Sequence, residues 1–468
     1  MIRTVVALNI EERPTDVQGD GTVNSSKFSG KTLHFPMGLG LILAAIRSKT
    51  DLQLSVLDNY VPGLSFEDIL EKISSDAPDY ILLTGFLGNY QYRFIVYALN
   101  KIKEVSPKSI VIIGGPMASC IPKLLIEKTS VDFVVIGEGE ATIVDLLLRL
   151  NNGDSINSCD GIAFRRADGV ATVTSVRERI KELDEYPHPA YDLFQMEHYT
   201  EYVRKTGRCW EISNSRGCYA KCGYCRLTFG QKITFRPYDH ILNEVRFIIE
   251  NYGICRFNFV DDNFLNSARQ VREFVDALET FEHKIQFRFQ GRADKLTPEL
   301  AKLLIDVGCF DISIGMESGS QRILDDMQKY LDVEKAANNI RGVLKLGVSI
   351  HATFIVGMPN EDFNSIKSTI DFIKYTGLPY VSTGILTPFP DTRIYTLAKE
   401  RGLILDDHLY CLELGRVYEI PYVNLTKFSD EQLLTWRDEI DSCSKLSNMV
   451  LDSGFNREPS VMQTALQN

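Results

Sequence analysis

Short apolar runs alternate with longer amphipathic stretches through the first 150 residues of the chain. Thr4–Leu8, Leu52–Leu57, Tyr80–Thr84, Ser109–Ile113 and Phe133–Ile136 are runs of four to six residues, rich in β-branched and apolar side chains. Between them, Gly38–Arg47, Phe66–Ile73 and Tyr92–Val105 place apolar residues at helical spacing. Strands separated by such helical patterns make βαβ units. The pattern therefore predicts a parallel sheet over residues 1–150. Glycines close the later strands, in Gly114-Gly115-Pro116 and Gly137-Glu-Gly-Glu140, at the edge where parallel sheets bind ligands. Glycine there allows close approach of a ligand, but it equally serves a tight turn.

Residues 151–208 read as a connector. Gly161–Phe164 and Val170–Thr174 form a small hairpin around Asp168-Gly169, and Glu182–Ala190 carries two prolines of an extended linker. From 209 to 390 the βα rhythm returns. Strands are predicted at Glu211–Ser213, Arg256–Val260, Lys284–Gln290, Asp311–Ile314, Ser349–Val356 and Val381–Leu386. Helices fall at 238–251, 267–281, 298–307, 320–329, 333–346 and 363–376. Six such units are fewer than the eight of a closed barrel, so the barrel is partial, with its site on the loops after the strands. Residues 391–468 are more polar and mostly helical by pattern.

Composition narrows the function. The 468 residues carry a formal charge of −11, which argues against a nucleic-acid partner. No apolar run approaches the ~20 residues of a membrane span, and the N-terminus lacks the apolar region of a signal peptide. Ten cysteines, mostly scattered, suit a reducing cytoplasm.

Three of those ten lie within eight residues, as Cys218, Cys222 and Cys225 in a C-x3-C-x2-C run. Soft thiolates on one loop can hold three irons of an iron–sulfur cluster, and the missing fourth cysteine leaves one iron open. An open metal position is where a catalytic site takes substrate or cofactor. Zinc is the rival ligand. It would want a fourth Cys or His, and the nearest, Cys209 and His240, are not at finger spacing.

The cysteine run, Tyr224 just before its last thiol, and the six βα units after it resemble the radical S-adenosylmethionine enzymes over roughly 205–395. The resemblance implies a 4Fe–4S cluster whose open iron is chelated by S-adenosylmethionine, and a 5′-deoxyadenosyl radical released from it. It implies that Asp261 or Asp262 in Phe259-Val-Asp-Asp-Asn-Phe264 meets the methionine amine, a choice left open, with a capping or turn role as the alternative. Arg292 would pair with the cofactor carboxylate, or merely with Asp294. Glu317 and Ser318, in Gly315-Met-Glu-Ser318, would reach ribose or methionine, and helix capping is the plainer role for Ser318. Gly357 would let the backbone pass the adenosine. Residues 1–150 in front of such a barrel resemble the Rossmann-like cobalamin-binding domain of the B12-binding members. There Thr84, Gly114, Gly115 and Gly137 would line the cofactor pocket. The Asp-x-His-x-x-Gly motif of many B12 domains is absent. His34, the one histidine in the first 150 residues, has no matching context.

The expected division is thus a Rossmann-like cobalamin domain (1–150), a linker (151–208), a partial (βα)6 barrel of the TIM type (209–390) and a helical C-terminal region (391–468). The expected activity is methyl transfer to an unactivated carbon or phosphorus of a small molecule or peptide, fed by a reductant such as flavodoxin or ferredoxin. Oxidative cyclisation or rearrangement without methyl transfer is one alternative, and a non-catalytic metal-binding module is another. Too few cysteines precede or follow the barrel for a second cluster.

Overall fold

The computed structural model describes residues 3–10 and 33–444. The chain divides into two units, Met1–Glu201 with Leu405–Arg416, and Tyr202–Ile404 with Val417–Asn468. In the first, β1 (Thr4–Asn9) is buried from Val5 onward, as an all-apolar central strand should be. β2 (Gln53–Asp58) alternates toward solvent and forms the edge. β3 (Tyr80–Thr84), β4 (Ile110–Gly114) and β5 (Phe133–Val135) complete a parallel sheet in the order β2-β1-β3-β4-β5. Strand order reverses between β1 and β3, the switch point where ligands of such sheets enter. The hairpin lies where the sequence places it, as β6 (Ile162–Arg165) and β7 (Ala171–Val173). It pairs antiparallel onto β5, so the sheet runs on to seven strands.

In the second unit, β8 (Trp210–Ile212) is followed by a two-residue ladder of β9 (Ser215–Arg216) and β10 (Thr234–Phe235). Then come β11 (Arg256–Phe259), β12 (Gln286–Arg292), β13 (Cys309–Glu317), β14 (Ser349–Val356) and β15 (Tyr380–Ile385). The strands β8 and β11–β15 lie side by side in chain order, all parallel, which makes the partial (βα)6 barrel. Helix starts are written locally. Ser267, Thr297, Asp332 and Asp362 each accept the amide three residues on, and Asp362 with Ser365 forms a reciprocal capping box.

Two local expectations shift. The helix read at 320–329 is only Gln321–Asp326, because Gln328 and Tyr330 take left-handed backbone angles of +58° and +46° and turn the chain. The polar C-terminal region carries helices Arg393–Glu400, Asp407–Glu413 and Asp430–Ser442, and its segment Leu405–Arg416 groups with the first unit. Residues 445–468 of that expectation lie outside the described residues. Among the described residues no helix is long and apolar enough to cross a membrane.

The barrel core is aromatic at one end. Phe259, Phe264, Phe274, Phe287 and Phe289 are each at most 1% exposed, with ring centroids 4.6–5.7 Å apart. Phe274 sits on helix Ala268–Glu279 and touches three of the others edge-on. Phe274→Ala should remove that keystone at a cost of about 3–5 kcal/mol. A fall in the denaturant midpoint of the barrel transition measures it; an unchanged midpoint would show the cluster to be incidental.

Candidate active site at the strand ends

Parallel strands deliver the candidate groups of the second unit to one edge. The cysteine loop follows β8, Asp261 and Asp262 follow β11, Arg292 and Glu317 end β12 and β13, and Gly357 follows β14. The β9–β10 ladder pinches the cysteine loop at its base. Gly217 takes a φ of +94°, and a Cβ there would stand 2.4 Å from the Lys232 carbonyl oxygen. The Cys218 amide donates to Gly230 O at 3.2 Å, and the Cys225 amide to Cys222 O at 3.1 Å. Gly223 is held on both sides, donating to Met327 O at 2.7 Å and accepting from the Ile394 amide at 3.1 Å.

Cys218 is buried, Cys222 half-buried, and Cys225 keeps an exposed edge. Burial pushes the Cys218 thiol up and the Cys225 thiol to about 12, and the charge of Cys222 pushes both further. Among the described residues no three His, Cys, Asp or Glu side chains converge as ligands of a single ion. Thiolates of a cluster take different irons, so they need to share a rim and not a point. Three soft thiols on one short loop are a donor set that fits a cluster.

The structure separates the two aspartates. Asp261 is 5% exposed and its carboxylate is spent on the Asn214 and Ser215 amides and the Ser215 hydroxyl. Burial lifts it to about 6 against those hydrogen bonds. Asp262 is exposed, and its Oδ2 accepts from the Gly217 amide at 2.9 Å, beside the first thiol.

Glu317 and Tyr224 come together with a residue the sequence did not flag. Glu317 Oε1 accepts from Lys329 Nζ at 2.8 Å and from the Tyr224 hydroxyl at 3.1 Å. Lys329 Nζ also donates to the Tyr224 oxygen at 3.2 Å. Both charged side chains are under 10% exposed. Lys329 lies in a polar stretch with no spacing signal; only the left-handed turns on either side of it aim it inward.

Three further residues sit elsewhere in their local networks. Arg292 is buried and pairs with Asp294 at 3.0 Å, its Nη2 donating to the Lys329 carbonyl at the same distance. Ser318 is 1% exposed, lies 3.3 Å from the Thr369 hydroxyl, and accepts from the Ser320 amide. It steadies the turn into the next helix without capping it, since the N-cap of Gln321–Asp326 is Ser320. Gly357 has a φ of +108°, and its amide donates to Glu361 Oε2 at 2.6 Å, as does Met358 at 3.2 Å. Glu361, 4% exposed and pushed up to about 7 by burial, escaped sequence reading as the last polar residue of a proline turn.

In the first unit the four predicted residues meet at the ends of β3, β4 and β5. A Cβ on Gly115 (φ +88°) would stand 2.4 Å from Thr84 Oγ1. Gly114 O accepts from the Gly85 amide at 3.3 Å. Ser119 Oγ donates to Gly115 O at 3.1 Å and accepts from the Gly137 amide at 2.9 Å. A buried set the sequence did not reveal closes the ends of β1 and β2. Asn9 Nδ2 donates to Asp58 Oδ1 at 3.1 Å and to the Tyr199 oxygen at 3.0 Å, while the Tyr199 hydroxyl donates to Asp58 Oδ2.

A three-thiol loop after the first strand of a partial (βα)6 barrel is the arrangement of the iron–sulfur enzymes that cleave S-adenosylmethionine. Two family models match this chain. The model of the radical SAM superfamily matches residues 212–373, and that of the B12 binding domain matches residues 28–147. Its cofactors are accordingly a 4Fe–4S cluster, S-adenosylmethionine and cobalamin. The chain is 27% identical over 404 residues to an uncharacterized methyltransferase of Pyrococcus horikoshii, covering 85% of each. It is 27% identical over 424 residues to the cytidylyl-2-hydroxyethylphosphonate methyltransferase of Streptomyces wedmorensis, covering 79% of each. The cobalamin-dependent S-adenosylmethionine radical enzyme OxsB, solved with aqua-cobalamin bound, has the same fold. Its TM-score is 0.75 at 19% identity, over 100% of this chain and 71% of that one.

Two outcomes follow from the buried charges. Lys329→Met leaves the Glu317 carboxylate without its counter-charge and should destabilise the unit by about 3–5 kcal/mol. Tyr224→Phe, which removes one neutral donor, should cost only about 1 kcal/mol. Thermal melts of the two variants compare them, and equal effects would mean that the ion pair is not the joint. For Glu361 the folded pKa lies above the ordinary 4.5, so its contribution is full below pH 4.5 and is lost as pH rises through about 7. Glu361→Gln keeps an acceptor for both amides and has no charge to bury. The stability of Glu361→Gln relative to wild type should therefore rise between pH 5 and pH 8, by on the order of 2 kcal/mol. A pH-independent difference in melting temperature would refute the assignment.

Proposed function

We propose that the chain is a cobalamin-dependent radical S-adenosylmethionine methyltransferase acting on an unactivated carbon, or a phosphorus, of a small metabolite or peptide. The observation that carries this is the three-thiol loop at the barrel's strand ends, following a B12-type sheet in the chain, together with two relatives, aligned over 85% and 79% of both chains, that are named methyltransferases. Cys218, Cys222 and Cys225 hold the cluster. With S-adenosylmethionine bound, that cluster supplies a deoxyadenosyl radical, and cobalamin carries the methyl group.

The remaining roles belong to side chains of the chain itself. Asp262, exposed beside Cys218 and already an acceptor, receives the methionine ammonium. Asp261 holds the turn that presents it. Tyr224, fixed by Glu317 and Lys329, walls the last thiol, and Arg292 lies behind with Tyr219 at 5.9 Å from its guanidinium. Gly357, kept left-handed by Glu361, gives the adenosine an unobstructed backbone. Thr84, Gly114, Gly115 and Gly137 line the cobalamin pocket. A small flavoprotein or ferredoxin in the cytoplasm supplies electrons.

Anaerobic reconstitution with iron, sulfide, hydroxocobalamin and S-adenosylmethionine under reductant tests the proposal. The protein should turn brown, form 5′-deoxyadenosine, and release S-adenosylhomocysteine in a burst matched to bound cobalamin. Cys222→Ala should lose the brown absorbance and the deoxyadenosine. Deoxyadenosine without any S-adenosylhomocysteine would return the chain to oxidative cyclisation or rearrangement. A colourless, zinc-loaded protein would remove the radical chemistry altogether.

A further inference from the structure

One stretch of the first unit is held in an unfavourable backbone conformation. After β3 the chain runs Gly85-Phe-Leu-Gly-Asn-Tyr90, and Gly88, Asn89 and Tyr90 take consecutive φ values of +127°, +49° and +59°. Glycine accepts such angles freely, asparagine tolerates them, and a bulky aromatic does so only under constraint. The loop begins at Thr84 and packs through Gly85 against Gly114 O and Met117. It leaves Phe86 and Tyr90 about two-fifths exposed, at 42% and 39%.

The constraint comes from the far end of the chain. The segment Leu405–Arg416 forms a short helix, Asp407–Glu413, capped by Asp406. Leu414 and Gly415 follow it, both buried. The Asn89 amide donates to Gly415 O at 2.7 Å and the Tyr90 amide to Leu414 O at 3.0 Å. These are the two non-glycine residues held left-handed. The Tyr90 ring lies flat on Gly415, where a Cβ would come within 2.0 Å of it. Further ties lie along the next helix. The Tyr92 hydroxyl pairs with His408 Nδ1 at 2.8 Å, and Arg93 donates to Leu412 O at 3.2 Å and faces Glu413 at 3.7 Å.

We propose that Leu405–Arg416 is a strap that sets the shape of the β3–β4 side of the cobalamin pocket, and through it the affinity for cobalamin. The strap supplies the two carbonyls that keep Asn89 and Tyr90 left-handed, and so fixes where Thr84, Gly85 and the exposed Phe86 ring stand. A broad macrocycle needs such a wall to be rigid before it binds, because a loop that is only partly in the right shape lowers affinity by that fraction. The inference rests on the reading that Thr84, Gly114 and Gly115 line the cobalamin pocket.

The test uses the full chain, titrated with hydroxocobalamin by absorbance, with amide hydrogen exchange over residues 84–93 measured before cobalamin is added. Gly415→Ala should speed exchange at Asn89 and Tyr90 and weaken cobalamin about tenfold, as if the competent loop population fell to a tenth. Adding Tyr90→Gly makes room for the new methyl group and supplies a residue that takes positive φ freely, so the double variant should regain most of the affinity. Should Gly415→Ala not fold, Tyr92→Phe combined with Arg93→Gln loosens the strap without adding bulk and should weaken binding about threefold. Wild-type affinity and exchange in the strap variants, or a loss that Tyr90→Gly does not restore, overturns the strap. Gly115→Val separates the two readings. Cobalamin retained by that variant overturns the pocket itself, whereas cobalamin lost there but unaffected by the strap variants overturns the strap alone.

Discussion

One carboxylate oxygen, Glu317 Oε1, takes hydrogen bonds from Tyr224 and Lys329 and joins the cysteine loop to the fourth strand of the barrel. Burying a lysine and a glutamate together is costly unless both are well partnered, and here each also meets the Tyr224 hydroxyl. The backbone is shaped to allow it. Glu317 sits at a φ of +68°, and the β13–β14 register shifts between Gly315 and Glu317, an irregularity that re-aims the side chain. Gly315 leaves the room, since a Cβ there would lie 2.5 Å from Glu317 Oε1. Strain at a strand end persists only where the surroundings over-determine it. The cysteine loop is thus positioned by the same contacts that hold the strand end in its unusual conformation.

Buried carboxylates recur along this edge, and their partners divide their roles. Asp261 and Glu361 both point at backbone amides, and both are lifted toward neutrality by burial. Each fixes a turn, the first beneath the cysteine loop and the second at Gly357. A carboxylate whose lone pairs are filled by local amides has little left for a ligand. Asp262, one residue on, is exposed and accepts from the Gly217 amide beside the first thiol, and so the adjacent pair separates into a buried support and an exposed candidate contact.

Sequence reading captured the elements whose signal is local. Every parallel strand of both sheets lies within a few residues of its apolar run, because apolar residues crowd each run whether both faces are buried, as in β1, or the burial alternates, as in β14. The glycine turns after β4 and β5 were legible for a similar reason, since few other residues suit those ends. What the sequence hid is pairing across long separations. Nothing near Lys329 announces Glu317, twelve residues earlier, or Tyr224, more than a hundred earlier. Nothing near Leu414 announces Asn89. The choice between Asp261 and Asp262 was hidden too, because adjacent identical side chains differ only in which way the strand end turns them. The helix expected over 320–329 stopped short for the same reason: a tertiary contact that needs Lys329 inside overrode residues that otherwise favour helix.

The two strand-end edges differ in chemistry as much as in sequence. In the first unit the residues that meet are Thr84, Ser119 and three glycines, a surface of hydroxyls, amides and carbonyls without charge. Such an edge recognises by shape and by many modest hydrogen bonds, which suits a large cofactor that a charged pocket would hold no better. In the second unit the edge carries thiols, Asp262, Arg292 and the Glu317–Lys329 pair. A zwitterionic amino-acid end needs paired charges of both signs, and a metal cluster needs soft donors. Neither edge could take the other's ligand without rebuilding its side chains. On the proposed reading the chain sorts its two organic cofactors by donor chemistry, one on each parallel sheet, at the end of the strands where such sheets take ligands.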